Sequence, residues 1–225
     1  LCCVLVIGVG GVFALYLFQN ARLNSPDFAK KIASKLEEST GASYQFDRFE
    51  LVANKLRCEK INATWPRDGI ASSLSLEKVQ GEVAASTFLH GQMKGESISS
   101  RKGQLVLTPS PRTRGGDYGA EIPNIINFST FRCDDLNIFL GPPNQAKTKF
   151  LKARASLEFE GPSNSKIFLQ GGNFISPLFG VTELRRALLE FYPDQTKLSS
   201  LTLLTDDKGG EISLQGTLLK KGSQE

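Results

Sequence analysis

The chain has 225 residues, 40% of them apolar and 22% charged, with 27 Lys+Arg against 23 Asp+Glu and four cysteines. Those averages exclude a disordered tail, a disulfide-dense mini-protein and a polytopic membrane protein. The apolar residues are unevenly spread: Leu1 to Phe18 is apolar apart from its glycines and carries no charge, and the rest of the chain is only about 36% apolar.

The first charge is Arg22, so residues 1–21 are uncharged. About 20 helical residues cross the hydrocarbon core of a bilayer. A single-pass transmembrane helix is therefore expected over residues 1–21, with Val4, Leu5, Val6, Ile7, Val12, Phe13, Leu15, Leu17 and Phe18 in its apolar body. Tyr16 and Phe18 fall where an aromatic belt lies. A cleaved signal peptide would have a shorter apolar run ending in a small-x-small site. Phe18-Gln19-Asn20-Ala21-Arg22 is a poor one. Cys2 and Cys3 precede the apolar run and are expected at or within the membrane.

A helix follows. Ser25 is a good N-cap, Pro26 suits the first helical position, and Gly41 is a natural stop. Phe28, Ile32 and Leu36, with Ala29 and Ala33, form one apolar stripe. Lys30, Lys31 and Lys35 are expected on the solvated face.

After Gly41 the period changes from 3.6 to 2. Tyr44 and Phe46, then Phe49 and Leu51, predict a strand with a phase break at Asp47-Arg48, as a bulge would give. Leu74/Leu76, Leu105/Leu107, Leu136/Ile138/Leu140 and Ile212/Leu214 each alternate with other residues. The clearest alternation is Leu151-Ala153-Ala155-Leu157-Phe159 against charged and polar neighbours. One apolar and one wet face is the pattern of antiparallel sheets. Leu184, Ala187, Leu188 and Phe191 have helical spacing, with Thr182 to cap and Pro193 to stop, which predicts a second short helix over residues 182–192. Asp206-Asp207-Lys208-Gly209-Gly210 reads as a hairpin turn. Arg112 to Gly119 reads as a loop between two halves, residues 22–111 and 112–225.

The halves share a pattern. Leu56-Arg-Cys-Glu-Lys-Ile-Asn62 is similar to Phe131-Arg-Cys-Asp-Asp-Leu-Asn137 at a constant offset of 75 residues, which suggests one supersecondary unit used twice. Cys58 and Cys133 then occupy equivalent strand positions, either as small buried hydrophobes or, outside the cytoplasm, as a disulfide.

Catalytic patterns are missing from the sequence. His90 is the single histidine, and no C-x-x-C, H-E-x-x-H, G-x-S-x-G or P-loop spacing occurs. Adjacent acids such as Asp134-Asp135 should point to opposite faces of a strand. Asn62-Ala-Thr and Asn127-Phe-Ser match glycosylation sequons by composition alone. Lys and Arg are interleaved with acids, which argues against nucleic acid as a partner. No enzyme activity and no cofactor are expected.

The apolar lead, the helix Ser25-Pro-Asp-Phe-Ala-Lys-Lys-Ile-Ala-Ser-Lys-Leu-Glu-Glu-Ser-Thr-Gly41, Leu56-Arg-Cys-Glu-Lys-Ile-Asn62, Leu74-Ser-Leu-Glu-Lys-Val79, Phe88-Leu-His-Gly91 and Leu105-Val-Leu107 come in an order that resembles the start of AsmA-like proteins. The resemblance covers residues 1–107, and the chain is short for that family. It implies a mainly β fold with minor α: a transmembrane helix, then curved antiparallel sheet units forming a groove or sandwich, with two short amphipathic helices. The implied groove face is Leu74, Leu76, Leu105, Leu107, Leu136, Ile138, Leu151, Leu157, Phe159, Ile212 and Leu214. The implied role is extracytoplasmic, at the inner membrane of a diderm envelope, assisting lipid transport or envelope assembly with membrane lipid as partner. The alternative is an anchored interaction module that recruits an envelope protein or a further copy through a strand edge.

Overall fold

The computed structural model describes residues 25–48, 50–52, 55–66, 71–82, 93–107, 126–160, 164–192, 195–205 and 209–219. The anchor expected over residues 1–21, the loop expected over residues 112–119 and His90 lie outside the described residues. Among the described residues, no helix is long and apolar enough to cross a membrane.

The fold is mainly β. Among the described residues, one helix, α1 (Pro26–Thr40), leads into twelve strands: β1 (Ser43–Asp47), β2 (Glu50–Val52), β3 (Lys55–Thr64), β4 (Ala71–Glu82), β5 (Met93–Leu107), β6 (Ile126–Leu140), β7 (Thr148–Phe159), β8 (Ser165–Gln170), β9 (Asn173–Ser176), β10 (Gly180–Phe191), β11 (Gln195–Thr205) and β12 (Glu211–Leu219). All belong to one sheet, in the order β1-β3-β4-β5-β6-β7-β8-β10-β11-β12. β2 extends β1 along β3, and β9 extends β8 between β7 and β10.

α1 ends as its sequence requires. Gly41 takes φ +66 and donates its N–H to the carbonyl of Glu37 at 2.8 Å, a left-handed stop that a residue without Cβ adopts freely. Ile32 is buried, while Lys35 pairs with Glu38 on the solvent side. The helix packs beside β1.

Two expectations about the sheet are corrected. The pairing is not antiparallel throughout: β5 and β6 run parallel in register from Met93↔Ile126 to Leu107↔Leu140. Parallel neighbours need a connection of a dozen or more residues, and residues 108–125 supply that length. The two expected units therefore adjoin edge to edge within one sheet. Secondly, residues 182–192 are not a helix. They lie in β10, paired with β11 on one side and with β8 and β9 on the other. The three-residue step from Leu184 to Ala187 comes from a bulge: Leu184 pairs with Leu203 and Arg186 with Thr202, so Arg185 is the extra residue. A strand with one added residue places i and i+3 on the same face, which imitates helical spacing.

The same device recurs across the sheet. The inward-facing residues step by two, then once by three: Cys58 to Ile61 on β3, Leu76 to Val79 on β4, Ser100 to Gly103 on β5, Cys133 to Leu136 on β6, Phe150 to Ala153 on β7 and Leu198 to Leu201 on β11. Each step spans a pair such as Glu59-Lys60, Glu77-Lys78, Arg101-Lys102, Asp134-Asp135, Leu151-Lys152 or Ser199-Ser200. The irregularities lie opposite one another, or nearly so, from strand to strand. Cys58 pairs with Val79, Leu76 with Gly103 and Ser100 with Cys133. They form a crease across the sheet. The break expected at Asp47-Arg48 begins it, with Arg48 at φ 49.

The crease also corrects the reading of β7. Leu151 does not continue the alternation of Ala153 and Ala155. Lys152 takes φ 57, so Phe150 packs against the core in its place. The Phe150 ring meets Phe174 at 4.7 Å between centroids, and Phe174 meets Phe179 at 6.4 Å.

Because period two is unforgiving, a one-residue change in a strand moves everything beyond it to the other face. Deleting Glu183, in the regular part of β10, is expected to destabilise the fold severely, since Thr182 (1% exposed) and Leu184 (0% exposed) would become adjacent and could no longer face the core together, whereas deleting Arg185 leaves Leu184 and Ala187 two apart on one face. Arg185→Ala removes only an exposed 3.5 Å pair with Glu211, which costs well under about 1 kcal/mol. Urea unfolding of the two deletions and of Arg185→Ala checks this, and equal midpoints for the two deletions would refute Arg185 as the added residue of the bulge. A second comparison uses two left-handed glycines. Gly41→Ala meets open space and costs about 1 kcal/mol. Gly172→Ala drives its Cβ into the carbonyl oxygens of Leu151 and Lys152, and costs about 3 kcal/mol or more.

Candidate functional site

The sheet has two faces of different chemistry. On the apolar face, Cys133, Leu136, Ile138, Ala153, Ala155, Leu169, Phe174, Leu184, Ala187, Leu201 and Leu203 form one buried cluster. Cys58, Leu76 and Val79 form another. Phe131 packs against both and joins them. Of the expected groove residues, Leu136 and Ile138 are in the larger cluster, and Leu105, Leu107 and Ile212 pack against it. Leu74 and Leu76 belong with the smaller one. Leu157 and Phe159 are half-buried, and Leu214 is 38% exposed. Leu151 is out of phase, as above. Sequence patterning missed Phe131, Phe150, Phe174 and Leu203, because single aromatic residues and residues beyond a bulge do not fit strict alternation.

The repeat is visible in hydrogen bonding. The thiol of Cys58 donates to the carbonyl of Lys60 at 3.1 Å, and to that of Asp47 at 3.2 Å. Cys133 likewise has a backbone hydrogen bond with Asp135, two residues on, and one with the Ser100 side chain. Asn62 accepts from the Ser75 hydroxyl, and its counterpart Asn137 accepts from the Lys152 N–H, each at 2.9 Å. Both cysteines are free and buried. They sit on β3 and β6, three strand spacings apart, or about 14 Å. That distance is beyond a disulfide's reach, which decides between the two readings of the pair.

The other face is polar, and it is here that a cleft opens. A cavity of about 590 Å³ lies along the crease, lined by Arg48, Glu50, Arg57, Glu59, Lys78, Gln80, Ser99, Arg101 and Asp134, with Cys58, Val79 and Ser100 behind them. A smaller one of about 270 Å³ continues it, sharing Arg57, Gln80 and Ser99. The register fixes the arrangement. Glu50, Arg57, Gln80 and Ser99 pair in sequence across β2, β3, β4 and β5. Arg48, Glu59, Lys78, Arg101 and Asp134 form the neighbouring row on the crease itself. Asp134 faces this cleft while Asp135 is half-buried, so the two acids do not act as a facing pair. Among the described residues, none of the cleft's charged side chains makes an ion pair within 4 Å, and no group of three His, Cys, Asp or Glu side chains could hold a metal ion.

Compared with protein-family models and with curated proteins, the chain matches nothing.

Burial pushes both thiols above the ordinary 9.0. The fold thus holds these protons. The associated stability is complete below pH 9 and is lost as pH rises through the raised values. In a chain with Cys2 and Cys3 changed to serine, thiol reagents at pH 8 should label Cys58 and Cys133 slowly when folded. Both should label promptly in denaturant. Fast labelling of the folded protein would contradict their burial.

Proposed function

We propose that the chain is a membrane-anchored, extracytoplasmic β-groove protein that takes acyl chains along its apolar face and so assists lipid transport or envelope assembly. The observation that carries this reading is a single sheet with one apolar face kept in phase by the crease from β3 to β11. Among the described residues, no second sheet covers it, and the one described helix packs beside β1. A one-sided apolar sheet has to cover that face. Leu105, Leu107, Phe150, Ile167, Leu189, Leu198 and Ile212 remain only partly buried on it. The uncharged run of residues 1–21 supplies the proposed anchor.

A second reading follows from the edge. β12 is the last strand, Ser213 to Thr217 is exposed along it, and no charged residue follows Glu211 within the strand. Natural sheets usually protect such edges with charge, proline or bulges. A partner strand added there would make the protein a recruitment module.

One experiment separates the two. A photoreactive side chain is placed at Leu107 or Ile212 on the apolar face, at Arg154 on the polar face outside the cleft, or at Thr217 on the edge, in the full chain in membranes. The lipid reading expects phospholipid adducts from Leu107 and Ile212 and none from Arg154. Protein adducts from Thr217, with no lipid adduct from the apolar positions, would replace it with the recruitment reading.

A further inference from the structure

We propose that the polar-face cleft binds the phosphate group of a compact phosphate ester between Lys78 and Arg101, with Arg57 and Arg48 beside them. The first argument is charge placement. Four basic side chains line one cavity of about 590 Å³. Their neighbours Glu50, Glu59 and Asp134 leave them without an ion pair among the described residues. Lys78 on β4 and Arg101 on β5 lie on adjacent strands at the crease, between the pairs Glu77↔Lys102 and Gln80↔Ser99. A phosphate placed there receives charge-assisted hydrogen bonds from both strands, the strong class of such bonds. The Ser99 hydroxyl is directed to the Gln80 carbonyl at 3.3 Å, which leaves the Gln80 amide as the neutral donor in that row.

The second argument is backbone conformation. Among the described residues, the non-glycine ones with positive φ are Arg48, Lys78 and Lys152, at φ 49, 53 and 57. A left-handed position inside a strand disfavours any side chain, and glycine would fit it better. Yet all three are basic and on the crease, and two of them line the cleft. Strain kept where glycine would relieve it is the pattern of a used side chain.

The third argument sets the ligand's size. Glu50 on β2 and Asp134 on β6 stand at opposite ends of the lining, so an extended polyanion laid across the strands would meet a carboxylate at each end. A cavity in the range of small-molecule sites exceeds a bare phosphate and leaves room for its esterified part. A lipid headgroup and a soluble phosphate ester share this chemistry. The inference rests on the polar face alone and is independent of the acyl-chain reading.

The test uses the full chain in dodecyl maltoside, which contains no phosphate. Thermal unfolding is followed against inorganic phosphate, glycerol 1-phosphate and short-chain phosphatidate, since a ligand of the folded state raises Tm in proportion to its occupancy. Saturable shifts are expected for both esters. Lys78→Gly and Arg101→Gln should each weaken binding by about tenfold or more. Lys35→Gln, on α1, should not. Lys78→Gly should also keep or raise the ligand-free Tm, since it relieves the left-handed strain. That outcome separates lost binding from lost folding. Phosphatidate binding more than tenfold tighter than glycerol 1-phosphate would identify a lipid headgroup, and similar affinities a soluble ester. Either result supports the site. No saturable shift with either ester, or shifts unchanged in both cleft variants, would overturn it.

Discussion

A strand alternates its faces with period two, and the protein depends on how its sheet handles departures from that period. One extra residue turns every later side chain to the wrong face. The remedy seen here is collective. When β3 steps from Cys58 to Ile61, β4 steps from Leu76 to Val79, and the neighbouring strands answer in turn. The apolar face therefore stays apolar on both sides of the break. A break confined to one strand would bury charge beside Leu76 or expose Leu184, at a cost no surface contact could offset.

The crease explains why the two faces differ so sharply. Its inward positions are small or apolar: Cys58, Val79, Ser100, Gly103, Cys133 and Ala153. Gly103 shows how tight the packing is, because a Cβ there would lie 2.8 Å from Leu136 and 3.0 Å from the Cys133 sulfur. From β3 to β6 the outward positions are the displaced charged pairs. Bulges concentrate twist and bending, and the cleft lies where four strands bring Glu59, Lys78, Arg101 and Asp134 into one row, with Arg48 beside it after β1. The buried face and the charged cleft are two consequences of one alignment. The acyl-chain and phosphate-ester proposals draw on its opposite sides.

Much of this was legible in the residues. Ser25, Pro26 and Gly41 bound α1 through local capping chemistry. Asp47-Arg48 announced the first phase break. β11 and β12, which flank Asp206 to Gly210, are antiparallel neighbours with Gly209 at φ 69, while residues 206–208 of the expected turn lie outside the described residues. The Arg-Cys-acid repeat marked equivalent positions on β3 and β6. β10 was misleading, because Leu184 and Ala187 across a bulge have the spacing of a helix. Leu151 misled in the opposite sense, by fitting an alternation that the backbone breaks one residue later. Of the candidate sites, the apolar face was largely visible in strand patterning. The cleft was not, because Lys78 and Arg101 are separated in the chain and meet only through the β4–β5 register.

The sequence by itself determined the local facts: an uncharged apolar lead, one capped helix, a series of half-buried strands and the turns between them. These depend on backbone preference and on residues a few positions apart. Only the tertiary structure decided which strands are neighbours, that β5 and β6 pair in parallel, and that single irregularities line up into a crease. Those outcomes depend on pairings between residues far apart in the chain, where register is set jointly by all strands. The opening composition, a modest apolar content outside residues 1–21, takes its meaning from that register: it covers one face of one sheet and leaves the other face charged.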